Sequence, residues 1–242
     1  MAMRTRQDHL GIDVPPVDTK ATLRRRPKSP VRKKSGSGAV IGPVPGLNNI
    51  CVFCGSGTGR NPAYAAAAVH LGQAMAEAGV GLVYGGGSLG LMGEVARSVL
   101  KHGGYVTGII PSFLSEKERM LTDVNELIIT EDMHERKRLM FERSDAFVAL
   151  PGGIGTLEEL IEQLTWSQLG RHEKPIILAN IEAFWDPLEA LLRHMRGEAF
   201  IRPGMEVRCT IVDSAEAILP AVVAGVARAR PKPTDSQIPD KF

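Results

Sequence analysis

The sequence predicts a Rossmann-like α/β fold: a doubly wound parallel sheet with helices on both faces, in a single domain. Two observations support this prediction. From residue 48 onward, short apolar runs alternate with helical patterns, as in a parallel sheet covered on both faces. In addition, three of the apolar runs end in loops rich in glycine or small residues, at 55–59, 85–90 and 152–156. Because ligands bind at the carboxyl edge of such sheets, the three loops are expected to form one site.

Each element is predicted from its apolar or helical pattern and from the residues that end it. Glycine closes the first two helices at Gly79 and Gly103, and Pro111 stops the third strand. A polar loop is expected over 112–125. The predicted strands lie at 49–54, 81–84, 105–110, 126–130, 145–150, 175–179 and 207–212. The predicted helices lie at 62–78, 92–102, 133–143, 157–169, 185–196 and 215–229.

The charge of the chain is unevenly distributed. The net charge is +2 over 242 residues, yet residues 1–37 hold ten basic against three acidic residues, and the remainder 19 against 24. The mildly acidic body argues against binding of nucleic acid. Residues 1–46 are predicted to be a disordered basic tail, 47–230 the Rossmann-like domain and 231–242 a flexible tail.

The composition also bears on location. No stretch of about 18 apolar residues occurs, and the beginning of the chain lacks the apolar segment of a secretory signal, so no membrane association is expected. Cys51 and Cys54 match C-x-x-C but flank two residues inside an apparent strand, which favours buried structural thiols over a redox pair. A cytoplasmic protein is therefore expected.

The most informative segment is P-G-G-I-G-T-L-E-E at 151–159. A glycine-rich turn between a strand and a helix lets the backbone approach an anion and directs free N–H groups at it. Glu158 and Glu159 follow at the expected start of the helix, which suggests chemistry on a phosphorylated ligand. The alternative is that both carboxylates only stabilise the helix dipole from its first turn.

A second glycine-rich loop, G-G-G-S-L-G at 85–90, formally satisfies G-x-G-x-x-G. A dinucleotide site would also need an acidic residue at the end of the next strand, and that strand ends G-I-I-P instead. NAD or FAD is therefore not favoured. The loop is either a turn that contacts a nucleotide or simply a tight connection.

Three consecutive cations, Arg136, Lys137 and Arg138, lie near the start of the helix predicted at 133–143. Because cations there oppose the helix dipole, either an anion lies nearby or the cations form a solvated basic face. No histidine or cysteine spacing indicates a metal, and the glycine-rich loops contain no lysine for pyridoxal phosphate. No cofactor and no metal are expected.

These motifs together resemble the LOG family of cytokinin riboside 5′-monophosphate phosphoribohydrolases. The family hallmark P-G-G-x-G-T-x-x-E is matched in full, and similarity extends over roughly residues 48–225 through C-V-F-C-G-S at 51, Y-G-G-G-S-L-G-L-M-G at 84, M-H-E-R-K at 133, S-D-A-F at 144 and L-T-W-S-Q-L-G at 164. Ile154 stands where many members carry an aromatic residue, which would alter base preference but not the phosphate contact. The resemblance implies hydrolysis of the N-glycosidic bond of N6-substituted adenosine 5′-monophosphates to the free base and ribose 5-phosphate. It also implies a homodimer or higher homo-oligomer with helices after the glycine-rich loops at the interface.

Site residues follow from the same resemblance, position by position. The catalytic pair falls on Arg136 and Glu159. A carboxylate beside C1′ stabilises oxocarbenium charge and orients water, and a fixed cation orients the nucleotide. The implied substrate-binding residues are Ser56, Gly87, Glu118, Arg136, Lys137, Gly152, Gly153, Ile154, Gly155, Thr156, Leu157, Glu158 and Thr165.

Two other functions remain open from the sequence. One is a general nucleoside 5′-monophosphate nucleosidase, for example on AMP, without preference for cytokinins. The other is a non-catalytic nucleotide or cofactor carrier of the molybdenum-cofactor type, which would not need Arg136 together with Glu159.

Overall fold

The computed structural model describes residues 44–115 and 120–229. The two predicted tails therefore lie almost entirely outside the described residues, and so does Glu118. Seven parallel strands form one sheet in the order β4-β3-β2-β1-β5-β6-β7, which confirms the predicted fold class. The strands are β1 Asn49–Phe53, β2 Gly81–Tyr84, β3 Val106–Pro111, β4 Glu126–Thr130, β5 Ala146–Ala149, β6 Ile176–Ala179 and β7 Thr210–Val212.

Helices connect successive strands, as the right-handed crossovers of a parallel sheet require. They are α1 Pro62–Glu77, α2 Gly90–Lys101, α3 Ser112–Ser115, α4 Met133–Glu142, α5 Ile154–Gln168, α6 Asp186–Gly197 and α7 Ala215–Ala229, with a 3₁₀ turn at Ile181–Ala183. The first helix shows how local sequence sets a boundary. The Asn61 side chain accepts a hydrogen bond from the Ala63 N–H at 2.9 Å, and Pro62 occupies the first helical position.

The strand order reverses next to β1, and this reversal locates the site. From β1 the chain builds the sheet outward through β2 to β4, and then returns so that β5 pairs with β1 on its other side. The register runs from Ile50 opposite Ala146 to Phe53 opposite Ala149, so both strands end at the same level. Such a switch point opens a crevice at the carboxyl edge, where ligands of these folds bind.

Alternate residues of each strand enter two separate cores. In β1, Ile50 and Val52 pack with α1, α2 and α7, whereas Cys51 and Phe53 pack with α4 and α5 on the opposite face. This explains why the strands read as continuous apolar runs. Cys51 and Cys54 are buried and unpaired, as predicted for structural thiols. No helix in the described part of the chain is long and apolar enough to span a membrane.

Several predicted boundaries were wrong. Helix α5 begins at Ile154, three residues before the predicted start, because Gly153 in an extended conformation ends the turn at once. Helix α2 likewise begins at Gly90 rather than residue 92. The expected polar loop contains the short helix α3, and the last strand has only three residues.

Candidate active site

The loops after β1 and β5 lie against each other through glycines. The Gly55 N–H donates to the Pro151 carbonyl at 3.1 Å. A side chain on Gly55 would come within 3.3 Å of the Gly152 Cα, and one on Gly152 would clash with the Thr156 hydroxyl. Both positions therefore need glycine for a close approach of backbones, independently of any ligand.

The loop after β2 joins the other two. The Gly55 carbonyl accepts hydrogen bonds from the N–H groups of Leu91 at 3.0 Å and Met92 at 3.3 Å, so the first loop covers the start of α2. Gly90 adopts a φ of +57°, and a side chain there would clash with the Ser56 backbone. The three loops thus meet at one edge of the sheet, as predicted. Ser56 is exposed at this edge, whereas Gly87 is buried and pairs with Met120 through an isolated bridge.

The glycine turn leads directly into the first turn of α5. Gly153 is the N-cap residue, and no side chain of the described residues caps the helix or accepts from its first N–H groups. A side chain on Gly153 or Gly155 would meet no described atom within 4 Å. Space for an anion therefore exists beside Gly153, Ile154 and Gly155, which are exposed, while Thr156 is buried behind them.

Because α5 starts at Ile154, its first turn contains no acidic residue. Glu158 and Glu159 lie in the second turn, and the interaction with the helix dipole fades within the first. The interpretation of the two carboxylates as first-turn dipole stabilisers was therefore wrong. Their position has to be explained by what they contact.

Helix α4 supplies the contact partners, and its start is firmly held. Asp132 accepts a hydrogen bond from the Glu135 N–H at 2.8 Å, and the Glu135 carboxylate accepts one from the Glu131 N–H at 2.9 Å. The backbone hydrogen bond from Glu135 lowers the pKa of Asp132. These caps fix the first turn and so fix the direction of Arg136 and Lys137, which follow it.

Arg136 and Glu159 form a buried ion pair. Arg136 Nη2 donates to Glu159 Oε1 at 2.9 Å, and the two side chains are only 10% and 11% exposed. Arg136 Nη1 lies 3.7 Å from the Met133 sulfur, and the buried Arg136 Nε has no hydrogen-bond partner within the described region. Gly85 makes room for the guanidinium, since a side chain there would clash with Nη2. An isolated buried charge is costly, so the pairing stabilises both groups inside the protein.

Lys137 forms a second, shallower link between the same helices. Its Nζ lies 2.6 Å from Glu158 Oε1 and 3.0 Å from Glu162 Oε1. Burial lowers the pKa of Lys137, but the hydrogen bonds and charges of the two glutamates outweigh it and raise the pKa overall. Arg138, in contrast, pairs with Glu142 at 3.2 Å on the surface. Two of the three cations thus have carboxylate partners on α5, and only the third lies on a solvated face.

Other predicted site residues lie apart from the pair. The exposed Thr165 donates to the Ile161 carbonyl of its own helix at 2.8 Å. Leu157, on the inner side of α5, is half-buried against the core. Sequence reasoning missed Glu162, although its spacing of four residues from Glu158 places both on one face of α5.

The surroundings of Glu159 bear on the thiols and on metal binding. Burial, with Glu159 as the next contribution, raises the pKa of Cys54 and of Cys51 far above the usual range of a thiol. Neither sulfur is therefore disposed to act as a thiolate. Within residues 44–115 and 120–229, no group of three or more histidine, cysteine or acidic side chains is arranged to hold a metal ion.

A doubly wound parallel sheet that carries a glycine turn and a buried arginine–glutamate pair at its carboxyl edge defines a Rossmann-like α/β protein. Comparison with known families makes this more specific. The family model described as possible lysine decarboxylase matches residues 92–222. A rice (Oryza sativa subsp. japonica) protein named probable cytokinin riboside 5′-monophosphate phosphoribohydrolase is 49% identical over 168 residues, covering 69% of this chain and 75% of its own length. An Arabidopsis thaliana protein with the name cytokinin riboside 5′-monophosphate phosphoribohydrolase is 47% identical over 157 residues, covering 65% and 72%. The chain belongs to this family, the LOG family that its motifs resemble.

Solved structures show the same fold at lower identity. The molybdenum cofactor binding protein of Rippkaea orientalis is similar with a TM-score of 0.54 at 25% identity, covering 74% of this chain and 96% of that protein. The molybdenum cofactor carrier protein of Chlamydomonas reinhardtii has a TM-score of 0.56 at 22% identity, covering 75% and 99%. These similarities show the fold only, and any activity has to be argued from the residues of the site.

Proposed function

We propose that this chain hydrolyses the N-glycosidic bond of N6-substituted adenosine 5′-monophosphates, releasing the free base and ribose 5-phosphate. The observation that carries the proposal is the buried Arg136–Glu159 pair, 2.9 Å apart, one turn beyond the glycine turn. The named activity of the rice and Arabidopsis relatives supports the same chemistry.

Glu159 is proposed as the catalytic carboxylate. When the bond between C1′ and the base nitrogen breaks, positive charge develops on the ribose, and a neighbouring carboxylate stabilises it. The base leaves with the electrons of the broken bond, the oxygen of a water molecule bonds to C1′, and the proton that this water loses goes to the base. Because Glu159 is buried, its charge acts with little screening by solvent.

Arg136 and the glycine turn are proposed to orient the nucleotide. Arg136 is a fixed cation whose planar donor groups suit a ribose hydroxyl or a phosphate oxygen. The open space at Gly153 and Gly155, beside the uncapped start of α5, suits the 5′-phosphate. Substrate held at both ends brings C1′ to the carboxylate, which lowers the entropic part of the barrier.

Ile154 is proposed to contact the substrate at this edge. It is the first residue of α5 and is 82% exposed, which is high for a large apolar side chain. A purine or an apolar N6 substituent would cover it. A general nucleoside monophosphate nucleosidase remains the second candidate, whereas a carrier would not need the buried ion pair.

One incubation separates these functions. The protein is mixed with AMP, with isopentenyladenosine 5′-monophosphate and with the dephosphorylated riboside, and the free base is quantified by chromatography. The proposal expects base from isopentenyladenosine monophosphate in preference to AMP, and none from the riboside. Equal turnover of both monophosphates would indicate the general nucleosidase, and no base from any of them would refute hydrolysis.

A homodimer or higher homo-oligomer is also proposed, with α5 at the interface. Ile161 on this helix and Leu169 at its C-cap are both exposed apolar side chains. Size-exclusion chromatography with light scattering tests this, and a charged substitution at Ile161 is expected to yield a smaller species. A cytoplasmic location is proposed from the three unpaired cysteines, and cell fractionation would test it.

A further inference from the structure

Lys137 is held in place by two carboxylates on α5. Two of its three N–H donors face Glu158 and Glu162, at 2.6 and 3.0 Å. The lysine side chain is only 14% exposed, so the contacts restrict it well below the mobility of a surface lysine. The resemblance implies that Lys137 contacts the substrate, yet its ammonium group already contacts two carboxylates of the protein.

The two carboxylates lie at different depths along α5. Glu158 is four residues after the helix start, about 6 Å along the axis, and Glu162 is about another 6 Å further from the glycine turn. Glu162 therefore draws the ammonium group away from the end of the helix where the phosphate is proposed to bind. Glu158, which is 51% exposed, holds it only at the rim.

The environment of Glu162 is unusual for a purely structural ion pair. Its side chain is 22% exposed, and among residues 44–115 and 120–229 its buried Oε2 atom has no hydrogen-bond partner. The buried Oε1 atom of the adjacent Gln163 also lacks a partner in this part of the chain. A carboxylate with one buried oxygen that accepts no hydrogen bond stabilises the fold less than a fully paired carboxylate does. This points to a role for Glu162 in the site.

We propose that Glu162 is a positioning residue that restrains Lys137 and thereby limits how strongly this lysine binds the phosphate group of the substrate. The inference rests on the proposed function and names a determinant of its substrate affinity. Phosphate and Glu162 compete for the same ammonium group. Loss of Glu162 frees one N–H donor and removes a negative charge that repels the phosphate.

The test is the variant Glu162→Gln, with titration calorimetry of ribose 5-phosphate and steady-state kinetics on the nucleotide. The Kd of ribose 5-phosphate and the KM of the nucleotide are expected to fall about three- to fivefold, the range of a partly exposed ion pair. The kcat is expected to stay within about twofold, because the variant leaves Arg136 and Glu159 in place. An unchanged or higher Kd in a folded variant would overturn the proposal.

Two comparisons separate positioning from simple charge removal. In a Lys137→Met background, Glu162→Gln is expected to leave the Kd of ribose 5-phosphate unchanged, and a fall that persists there would overturn the role through Lys137. Glu142→Gln, which removes the carboxylate of the surface pair with Arg138, is the matched control and is expected to change neither KM nor kcat.

Glu162→Asp keeps the charge but shortens the side chain, so it is expected to give an intermediate Kd. If Glu162→Gln does not fold, Glu162→Asp is the variant that tests the proposal.

The proposed function and the role of Glu162 can be refuted separately. If the wild-type protein neither binds ribose 5-phosphate nor releases base, the proposed function is wrong. If the wild-type protein does both and the Glu162 variants match it, only this inference is wrong.

Discussion

Replacing Glu159 with glutamine tests the proposed chemistry most directly. Glutamine has nearly the same shape, and its carbonyl oxygen can still accept the hydrogen bond that Arg136 Nη2 donates at 2.9 Å. What disappears is the negative charge. Loss of one pre-organised electrostatic group costs about 3–4 kcal/mol of transition-state stabilisation, so kcat is expected to fall about 10²- to 10³-fold or more.

The same substitution leaves Arg136 buried without its counter-ion. Breaking a buried ion pair costs about 3–5 kcal/mol when one partner is removed, and both side chains here are only about a tenth exposed. Because the amide retains the hydrogen bond, a smaller loss of about 1–3 kcal/mol in the free energy of unfolding is expected. The folded variant is expected to bind ribose 5-phosphate still, since the glycine turn is untouched.

Three measurements on Glu159→Gln decide the matter: release of free base by chromatography, thermal unfolding, and calorimetric titration with ribose 5-phosphate. Glu142→Gln, which makes the same chemical change on the surface of α4, is the control for general effects of a lost carboxylate. A folded Glu159→Gln protein with kcat within tenfold of the wild type would refute the catalytic role.

Three further predictions concern the scaffold. Gly152→Ala is expected to destabilise the protein by about 1–3 kcal/mol, because its Cβ would clash with the Thr156 hydroxyl, whereas Gly153→Ala meets no atom within 4 Å and is expected to keep the melting temperature but raise KM. Equal melting temperatures for the two variants would contradict this. Burial lowers the pKa of His172 below its usual 6.5, so the unfolded chain binds the proton more readily, and the stability contributed by neutral His172 is lost as the pH falls below that value. Between about pH 7.5 and 5.5, the melting temperature is expected to fall less for His172→Gln than for the wild type. Lys174 donates to the Phe141 carbonyl at 2.6 Å and lies 3.8 Å above that ring, so Lys174→Met is expected to cost about 1 kcal/mol in chemical denaturation and to leave kcat unchanged.

Local sequence predicted the fold where a helical or apolar pattern is bounded by polar residues, glycine or proline. The strands Gly81–Tyr84 and Glu126–Thr130 and the helix Ala215–Ala229 lie where expected. The start of α5 was missed because Ile154, Gly155 and Thr156 are poor helix formers, and packing of the turn against the loop after β1 overrides their propensity.

The site was less accessible to sequence reasoning than the fold. From the residues alone, the cations of α4 and the carboxylates of α5 each had two interpretations, and only the family resemblance favoured Arg136 and Glu159. The structure adds that the two groups contact each other across 23 positions of sequence. No local pattern encodes that contact, because it depends on how two crossover helices pack on one face of the sheet. Glu162 was missed for the same reason.

Gly85 leaves room for the guanidinium of Arg136 because it has no side chain. The second glycine-rich loop looks in sequence like a motif for a dinucleotide, yet its first glycine forms a socket for the guanidinium of Arg136, 51 positions later in the chain. A larger residue at position 85 would displace the Nη2 atom with which Arg136 donates to Glu159, so a substitution in this loop is expected to disturb an ion pair between two helices distant in sequence.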